Sequence, residues 1–186
     1  EEEVLGKLPQ GWVVISKEGD GEAKVDGIAK EGKGSLLLTS KKGLVRVGAN
    51  PIANFAPEAG QRYKVSTWCR SEEMCGDIWL KIEFVNKERN KVLGTFFLSP
   101  QDSTSDWYLL EGVTGVIPEG TAEAWLNLNL GGSGKLWFDE IKIESWQGSQ
   151  EDLKQNTKKP LPTVPAPPKD SALRHPCIYV NHDEVE

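Results

Sequence analysis

Histidine is nearly absent from this 186-residue sequence, which contains only His175 and His182, both close to its end. The first 146 residues therefore hold no Ser/His/Asp arrangement and no histidine pair for zinc. Residues 131–134 are glycine-rich, but they lack the lysine and the helix that a phosphate-binding loop requires. The 28 acidic residues form pairs by chance, so a pair such as Glu72-Glu73 does not indicate a glycosidase. We therefore expect no catalytic site and no enzyme activity in this chain.

An excess of positive charge and long apolar runs are also absent. A net charge of −6 argues against nucleic acid as a partner, because phosphate binding needs a clustered basic surface. No apolar run approaches the roughly 20 residues of a membrane helix, so we expect no membrane insertion. The chain opens on Glu1-Glu2-Glu3, with neither the basic nor the apolar region of a signal peptide. Either the protein is intracellular or a signal peptide has been removed; composition favours the second, and we expect a secreted or periplasmic protein.

Cysteine is scarce, and the three residues Cys69, Cys75 and Cys177 allow at most one intrachain disulfide. Cys69 and Cys75 can pair across a short connection if their Cα atoms lie about 4.4–6.8 Å apart. Alternatively, Cys69 is a small buried hydrophobic residue. The sequence leaves both interpretations open.

Short alternating segments dominate the chain from Gly11 to Trp146. In residues 77–85 the apolar side chains fall on every second position, and residues 122–130 show the same period of two even more regularly. The turn-forming residues 86–90 predict a hairpin between the strands at 77–85 and 92–98. Residues 131–134 predict a turn before the last strand. The complete set of predicted strands is 12–16, 35–40, 44–47, 63–70, 77–85, 92–98, 107–116, 122–130 and 135–144.

No segment shows a helical apolar stripe longer than two turns. Eight or nine short antiparallel strands separated by polar turns are typical of an all-β fold. We predict a two-sheet antiparallel jelly-roll β-sandwich over residues 1–146.

The character of the sequence changes after Trp146. Residues 147–170 are first polar and then proline-rich, with five prolines between Pro160 and Pro168. Such a segment tends to polyproline II and acts as a semi-rigid spacer. Because a spacer implies a further domain, we interpret residues 171–186 as the start of a truncated downstream domain.

Tryptophan is abundant, with seven residues against three tyrosines, and two of the seven lie where polar side chains are expected. Outward faces of strands are normally polar, because the inward set already forms the core. The strands at 77–85 and 122–130 carry Trp79 and Trp125 on those faces. Polar groups flank both: Asp77, Lys81 and Glu83 around Trp79, and Glu123, Asn127 and Asn129 around Trp125.

This combination is typical of carbohydrate binding. An aromatic ring stacks on the C–H face of a pyranose, while amides and charged groups bind its hydroxyls. Trp68 and Arg70 are a third candidate pair, and the sequence leaves open whether they share a sheet with Trp79 and Trp125. The alternative is that a loop, the N-terminal segment or the proline-rich tail covers the outward tryptophans. The remaining candidates for the core are Trp12, Trp107 and Trp137.

Four motifs in the same order resemble the family 4, 9 and 22 type of carbohydrate-binding modules. They are residues 8–12 (Leu-Pro-Gln-Gly-Trp), 32–38 (Gly-Lys-Gly-Ser-Leu-Leu-Leu), 58–70 (a glycine turn before a tyrosine, serine and tryptophan strand) and 136–141 (Leu-Trp-Phe-Asp-Glu-Ile). The resemblance covers about residues 1–146. It implies a jelly roll with a ligand cleft on one sheet face. The family positions of the ligand-binding side chains match Trp68, Trp125, Asn127 and Asn129.

The same resemblance implies a structural calcium ion. Many members hold it with an early acidic residue and an acid of the last strand. Asp139 matches the second position, and Glu3 is a candidate for the first. Glu140 departs from the second aspartate that is common there. Calcium takes six to eight oxygen ligands, so these two carboxylates need loop carbonyls beside them.

Residues 174–185 resemble the entry to the helical-toroid domain of heparinase II/III-like and alginate-lyase-like enzymes. The matching residues are a histidine-proline pair, an apolar strand and an acidic segment. This second resemblance implies a parent lyase or hydrolase that acts on acidic polysaccharide, with His175 and His182 as structural residues.

Together these observations predict a non-catalytic carbohydrate-binding module. It would target an attached polysaccharide-degrading enzyme to its glycan by raising the effective concentration of the two partners. Lys64, Arg70 and Lys81 would suit the carboxylates of a uronate-containing oligo- or polysaccharide. The alternative is a structural sandwich that packs against its own downstream catalytic domain and binds no sugar.

Overall fold

The computed structural model describes residues 5–100 and 106–148, which form seven β-strands. They are β1 (Val13–Gly19), β2 (Glu22–Asp26), β3 (Ser35–Ala49), β4 (Tyr63–Asn86), β5 (Val92–Leu98), β6 (Tyr108–Val113) and β7 (Thr121–Ser145). This described part contains no helix that could span a membrane. Glu3, most of the predicted linker at 147–170 and the predicted downstream segment at 171–186 lie outside the described residues.

Three long strands, β3, β4 and β7, each pass through both layers of the molecule. The first sheet has the order β1–β3–β7–β4–β5 and uses residues 43–49 of β3, 76–86 of β4 and 121–132 of β7. The second sheet has the order β2–β3–β7–β4–β6 and uses residues 35–40, 63–72 and 133–145 of the same three strands. All pairs are antiparallel. This confirms the predicted all-β, two-sheet antiparallel jelly-roll β-sandwich.

The predicted turn at residues 131–134 is wrong, because β7 continues through it. β3 stays paired to β7 on both sides, with Ser40 opposite Gly134 and Gly43 opposite Gly132. The glycines bend β7 from one sheet into the other without ending it, since a residue lacking Cβ adopts a positive φ at little cost. The predicted strands at 35–40 and 44–47, and those at 63–70 and 77–85, merge in the same way into β3 and β4.

The core consists of the inward side chains of both sheets. Ile78, Leu80, Ile82 and Phe84 of β4 are buried as their alternation predicts. On β7 the buried residues are Ala124, Leu126, Leu128 and Leu130, whereas Ala122, also predicted inward, is exposed. The β4–β7 register shifts between Val85, which pairs with Glu123, and Asn86, which pairs with Thr121, so the alternation does not extend to Ala122. Each large apolar side chain buried in this way contributes about 1.5–3 kcal/mol.

The hairpin predicted at residues 86–90 is confirmed. β4 and β5 pair antiparallel, and the backbone N–H of Asn86 donates to the carbonyl oxygen of Lys91 at 3.1 Å. The Asn86 side chain closes the turn, because its Oδ1 accepts N–H bonds from Asn90 and Lys91.

The bend of β3 is held by the carboxylate of Asp20. Its Oδ1 accepts hydrogen bonds from the backbone N–H of Lys42 at 3.1 Å, the N–H of Lys41 at 3.0 Å and the hydroxyl of Ser40 at 3.0 Å. These bonds, that of Lys42 first, hold the pKa of Asp20 below its ordinary value. Asp20 precedes β2, a strand that the sequence did not predict.

Cys69 is a free thiol, buried on the core face of β4, so no Cys69–Cys75 disulfide forms. The interpretation of Cys69 as a small buried hydrophobic residue is confirmed. Its burial raises the pKa of the thiol well above the ordinary value, which makes it chemically inert.

Candidate functional site

The outward side of the first sheet, here called the first-sheet face, gathers most of the predicted ligand-binding residues. Its side chains come from three neighbouring strands: Arg46 from β3, Asp77, Trp79, Lys81 and Glu83 from β4, and Glu123, Trp125, Asn127 and Asn129 from β7. The register places Asn129 between Arg46 and Trp79. It also places Lys81 opposite Asn127, and Glu83 opposite Trp125. With β1 and β5 on its edges, the face spans roughly 19 Å at a strand spacing of about 4.8 Å.

Two side chains of this face, those of Asn127 and Asn129, are buried at its base. Asn127 is 4% exposed and Asn129 is 0% exposed. Asn129 accepts a hydrogen bond from Arg46 Nε at 3.3 Å and donates to the backbone oxygen of Asp77 at 2.9 Å. Asn127 accepts from Asn50 Nδ2 at 3.3 Å and donates to a Glu83 oxygen at 3.1 Å. In this conformation both amides position charged neighbours and do not reach a ligand.

The centre of the face holds an ion pair. Lys81 Nζ lies 2.8 Å from Glu83 Oε1, and both side chains are about one-fifth exposed. Glu83 uses its second oxygen for the amide of Asn127. The pair therefore offers a fixed donor and a fixed acceptor to the hydroxyls of a ligand.

Trp79 is surrounded by charged and aromatic neighbours. The Arg46 guanidinium carbon is 4.9 Å and Lys81 Nζ is 5.2 Å from the Trp79 ring centroid, which are cation–π distances. Phe97 of β5 meets the same ring edge-to-face at 6.1 Å. The indole N–H donates to Asp77 Oδ2 at 3.0 Å, so the ring plane is held in one orientation.

Trp125 has the same bond from its indole N–H to an acid. It lies about 13 Å further along the strands, four residues at about 3.3 Å each from the level of Trp79. Its indole N–H donates to Glu123 Oε2 at 3.2 Å. Glu123 also accepts from Arg89 Nη2 at 2.6 Å and Nε at 3.0 Å, and the Arg89 bond holds the pKa of Glu123 below its ordinary value. In both cases the acid stands two residues before the tryptophan, on the same face of the strand.

Apolar side chains from the edge strands border the face. Ile15 of β1 is 41% exposed, and Phe97 of β5 is 55% exposed. A Cβ on Gly48 would come within 2.7 Å of both Ile15 Cδ1 and Asn127 Oδ1, so the absence of a side chain there lets Ile15 approach the face. Sequence reasoning missed Ile15, Arg46 and Phe97. Only Arg46 carried a signal, since it is the outward residue of an alternating run.

Trp68 and Arg70 lie on the second sheet, because β4 bends between them and Trp79. Lys30 Nζ covers Trp68 at 4.7 Å from the ring centroid. Arg70 pairs with Glu72 at 2.7 Å and stacks on the buried Trp137 at 5.4 Å. The structure therefore does not bring these two predicted residues together with the others.

The carboxylate of Asp139 anchors the loop at residues 30–31. Its Oδ2 accepts the backbone N–H groups of Lys30 at 2.8 Å and Glu31 at 3.0 Å, and its Oδ1 accepts the N–H of Glu140 at 2.8 Å. Within residues 5–100 and 106–148 there is no group of three or more His, Cys, Asp or Glu residues suited to a metal ion. Oxygens aimed at N–H donors do not fit a calcium ligand set. Because Glu3 is not among the described residues, calcium stays a prediction.

A cavity of about 410 Å³ with a mixed polar and apolar lining opens at one end of the sandwich, separate from the first-sheet face. Its lining includes Trp12, Phe55 and Leu126. Leu126 points into the core, whereas its neighbours Trp125 and Asn127 point outward, so the cavity belongs to the space between the sheets.

No family model matches this sequence, and no curated protein matches it either. Solved structures do resemble the fold. The CBM22-2 xylan-binding domain of Paenibacillus barcinonensis Xyn10C matches with a TM-score of 0.52 and 14% identity, over 77% of this chain and 97% of that domain. The CBM22-1–GH10 modules of Clostridium thermocellum xylanase 10B, complexed with xylohexaose, match with a TM-score of 0.56 and 12% identity, over 73% of this chain and 26% of theirs.

The enzymatically active domain of tailspike protein 4 from bacteriophage CBA120 matches with a TM-score of 0.63 and 12% identity. The match covers 74% of this chain, which spans only 20% of the tailspike chain. At these identities the likeness establishes the jelly-roll sandwich and nothing finer.

Proposed function

We propose that this chain is a non-catalytic carbohydrate-binding module that binds an oligo- or polysaccharide on its first-sheet face. The observation that carries the proposal is the matched pair Trp79 and Trp125. Both project outward from one sheet, and each has its indole N–H bonded to an acid two residues earlier. The shared fold of modules named for carbohydrate binding supports the same function.

The geometry suits a sugar chain for a physical reason. Each indole is held by one hydrogen bond, so little side-chain entropy remains to be lost when a pyranose stacks on it. Between the two rings, the Lys81–Glu83 pair presents a donor and an acceptor to ring hydroxyls. Two aromatic platforms separated by about 13 Å favour several linked sugars over one.

Binding would serve an attached polysaccharide-degrading enzyme, a lyase or a hydrolase, in a secreted or periplasmic protein. The proline-rich sequence after residue 159 and the lyase-like motif at 174–185 support this part of the proposal. A weak site on a semi-rigid tether keeps a catalytic domain near its polymer at an effective concentration in the millimolar range. The net charge of −6 does not favour a nucleic acid as the partner.

The test measures binding to a panel of neutral and acidic polysaccharides by affinity gel electrophoresis, with tryptophan fluorescence titration for soluble oligosaccharides. We expect Trp79→Ala and Trp125→Ala each to weaken binding about tenfold or more. Trp68→Ala is the matched control, because it removes an outward tryptophan from the second sheet. It should leave the affinity unchanged. An equal loss in all three variants, or binding that survives both first-sheet substitutions, would contradict the proposal.

A structural sandwich that packs on its catalytic domain is the second candidate. The edge strand β1 exposes three consecutive apolar residues, Val13, Val14 and Ile15, which suits contact with another domain. If the panel shows no binding, and Val14→Lys separates the sandwich from the following domain in limited proteolysis of the longer protein, this second function is correct.

A further inference from the structure

Arg46 is the unpaired cation of the first-sheet face. Lys81 is paired with Glu83, and Arg89 with Glu123. Among the described residues no carboxylate forms an ion pair with Arg46, and the one hydrogen bond of its side chain in that part of the chain runs from Nε to Asn129. Its two terminal amino groups are therefore available to a ligand.

The guanidinium is held in place by its neighbours. Asn129 accepts from Nε and is itself anchored to the backbone oxygen of Asp77, while the Trp79 ring lies 4.9 Å from the guanidinium carbon. A planar fork with its position fixed from two sides loses little freedom on binding, and its shape matches a carboxylate in two parallel hydrogen bonds.

The acids on this face do not cancel the charge of Arg46. Glu83 and Glu123 have cation partners of their own, so among the described acids of the face only Asp77 opposes the charge of Arg46. Asp77 is bound to the indole N–H of Trp79 and forms no ion pair with Arg46, so the face as a whole does not repel an anion. The negative charges elsewhere, which produce the net −6, are screened beyond about 8 Å at physiological ionic strength. An acidic chain can therefore approach the face despite the sign of the whole protein.

We infer that the bound glycan contains uronic acid residues and that Arg46 binds one of their carboxylates, beside the sugar that stacks near Trp79. This inference rests on the proposed function and makes it specific: Arg46 separates acidic from neutral polymers. The Lys81–Glu83 pair and Trp125 bind features that both kinds of polymer share.

The test compares alginate and polygalacturonate with their carboxyl-reduced forms, which keep the backbone and lose the charge. A greater retardation of the protein in a gel that contains the polymer indicates tighter binding. For wild type, we expect at least tenfold tighter binding to one of the two uronates than to its reduced form, because hydrogen bonds to a charged group contribute more than neutral ones. This preference should fall as salt is added.

Arg46→Gln should remove the preference by weakening binding to the uronate about tenfold more than binding to the reduced polymer. Arg46→Lys keeps the charge without the planar fork and should show an intermediate preference. Lys33→Gln removes one charge from an exposed loop residue outside the face and should behave as wild type. Thermal unfolding of each variant confirms that it is folded. If Arg46→Gln does not fold, the inference is tested by the preference of wild type for the uronate and by the intermediate preference of Arg46→Lys.

Equal binding of the uronates and their reduced forms by wild type overturns the inference, and so does an equal loss of both in Arg46→Gln. In either case the protein still binds glycan, and the proposed function stands. If wild type binds none of these polymers, nor xylan or cellulose oligosaccharides, both proposals fail.

Discussion

Gly76 of β4 lies directly opposite Gly132 of β7, and both backbones have a positive φ, 127° and 130°. A Cβ on Gly76 would overlap the carbonyl oxygen of Gly131, and one on Gly132 would overlap that of Cys75. The two strands thus bend at the same level and stay paired while they cross from one sheet to the other. This crossing turns Trp79 and Trp125 onto one face and leaves Trp68 on the other sheet.

Replacing either glycine should destabilise the fold severely. Gly76→Ala and Gly132→Ala combine a disfavoured φ with a clash against backbone, and we expect each to lower the free energy of unfolding by about 3 kcal/mol or more. Gly27→Ala is the control, since a Cβ there meets no atom within 4 Å and no positive φ is involved. Urea denaturation measures all three. A comparable loss in Gly27→Ala would show that the bend is not the cause.

Asn129→Ala should lower stability and ligand affinity together. It leaves the Asp77 carbonyl oxygen and Arg46 Nε without their buried partner, which costs about 1–3 kcal/mol. Ligand affinity falls because the Arg46 guanidinium loses the hydrogen bond that holds it in position. Thermal unfolding and affinity electrophoresis of the same preparation check this. Unchanged stability with lost binding would mean instead that Asn129 contacts the ligand.

Because of the Glu123–Arg89 pair, ligand affinity at the Trp125 end of the face should depend on pH only in acidic solution. The pKa of Glu123 is lowered by Arg89, so the carboxylate keeps its charge until the pH falls below the ordinary value of about 4.3. We expect Glu123→Gln to bind a few-fold more weakly than wild type at pH 7. This difference should shrink only as the pH falls below that ordinary value and the wild-type carboxylate takes up its proton. The exposed Glu119→Gln is the control, and equal binding by Glu123→Gln and wild type at pH 7 would refute the assignment.

Asp20 should contribute to stability in neutral but not in acidic solution. Its pKa in the folded protein is lowered, so the stabilisation is present above the unfolded value of about 3.9 and is lost as the pH falls through the folded value. Accordingly, Asp20→Asn should melt at a lower temperature than wild type at pH 7, and the two should converge as the pH falls below the unfolded value of about 3.9 and through the lowered folded value. Asp106→Asn, at an exposed position, controls for charge. Equal melting temperatures of Asp20→Asn and wild type at pH 7 would argue against the Asp20 contacts with Ser40, Lys41 and Lys42.

The predicted calcium ion can be tested by chelation. If the ion is bound, EDTA should lower the melting temperature and calcium chloride should restore it. Asp139→Ala should lower the melting temperature with or without EDTA, since the loop at Lys30 and Glu31 loses its anchor at a cost of about 1–3 kcal/mol. A melting temperature that EDTA leaves unchanged would contradict the calcium prediction, in keeping with the backbone N–H bonds that both Asp139 oxygens accept.

Much of the site was readable from the sequence because alternation is local. The period of two in residues 77–85 and 122–130 assigned Trp79 and Trp125 outward and Ile82 and Leu128 inward, and the structure places all four accordingly. Arg46 was equally outward in its own strand. Its contact with Trp79 could not be predicted, because the local sequence does not show that β3 pairs with β7, the strand that lies between Arg46 and Trp79.

The sequence by itself determined which side chains leave the core, since each strand residue points opposite to its neighbours whatever the strand pairs with. It did not determine which sheet a strand joins. A glycine with a positive φ serves a hairpin turn and a bend equally well, so residues 131–134 read as a turn although β7 continues through them. Only the pairing of β3, β4 and β7 along their whole lengths decided that Trp68 and Trp79, on one strand, face different sides of the sandwich. The same pairing buried Asn129 under Arg46, because burial depends on neighbours that are distant in sequence.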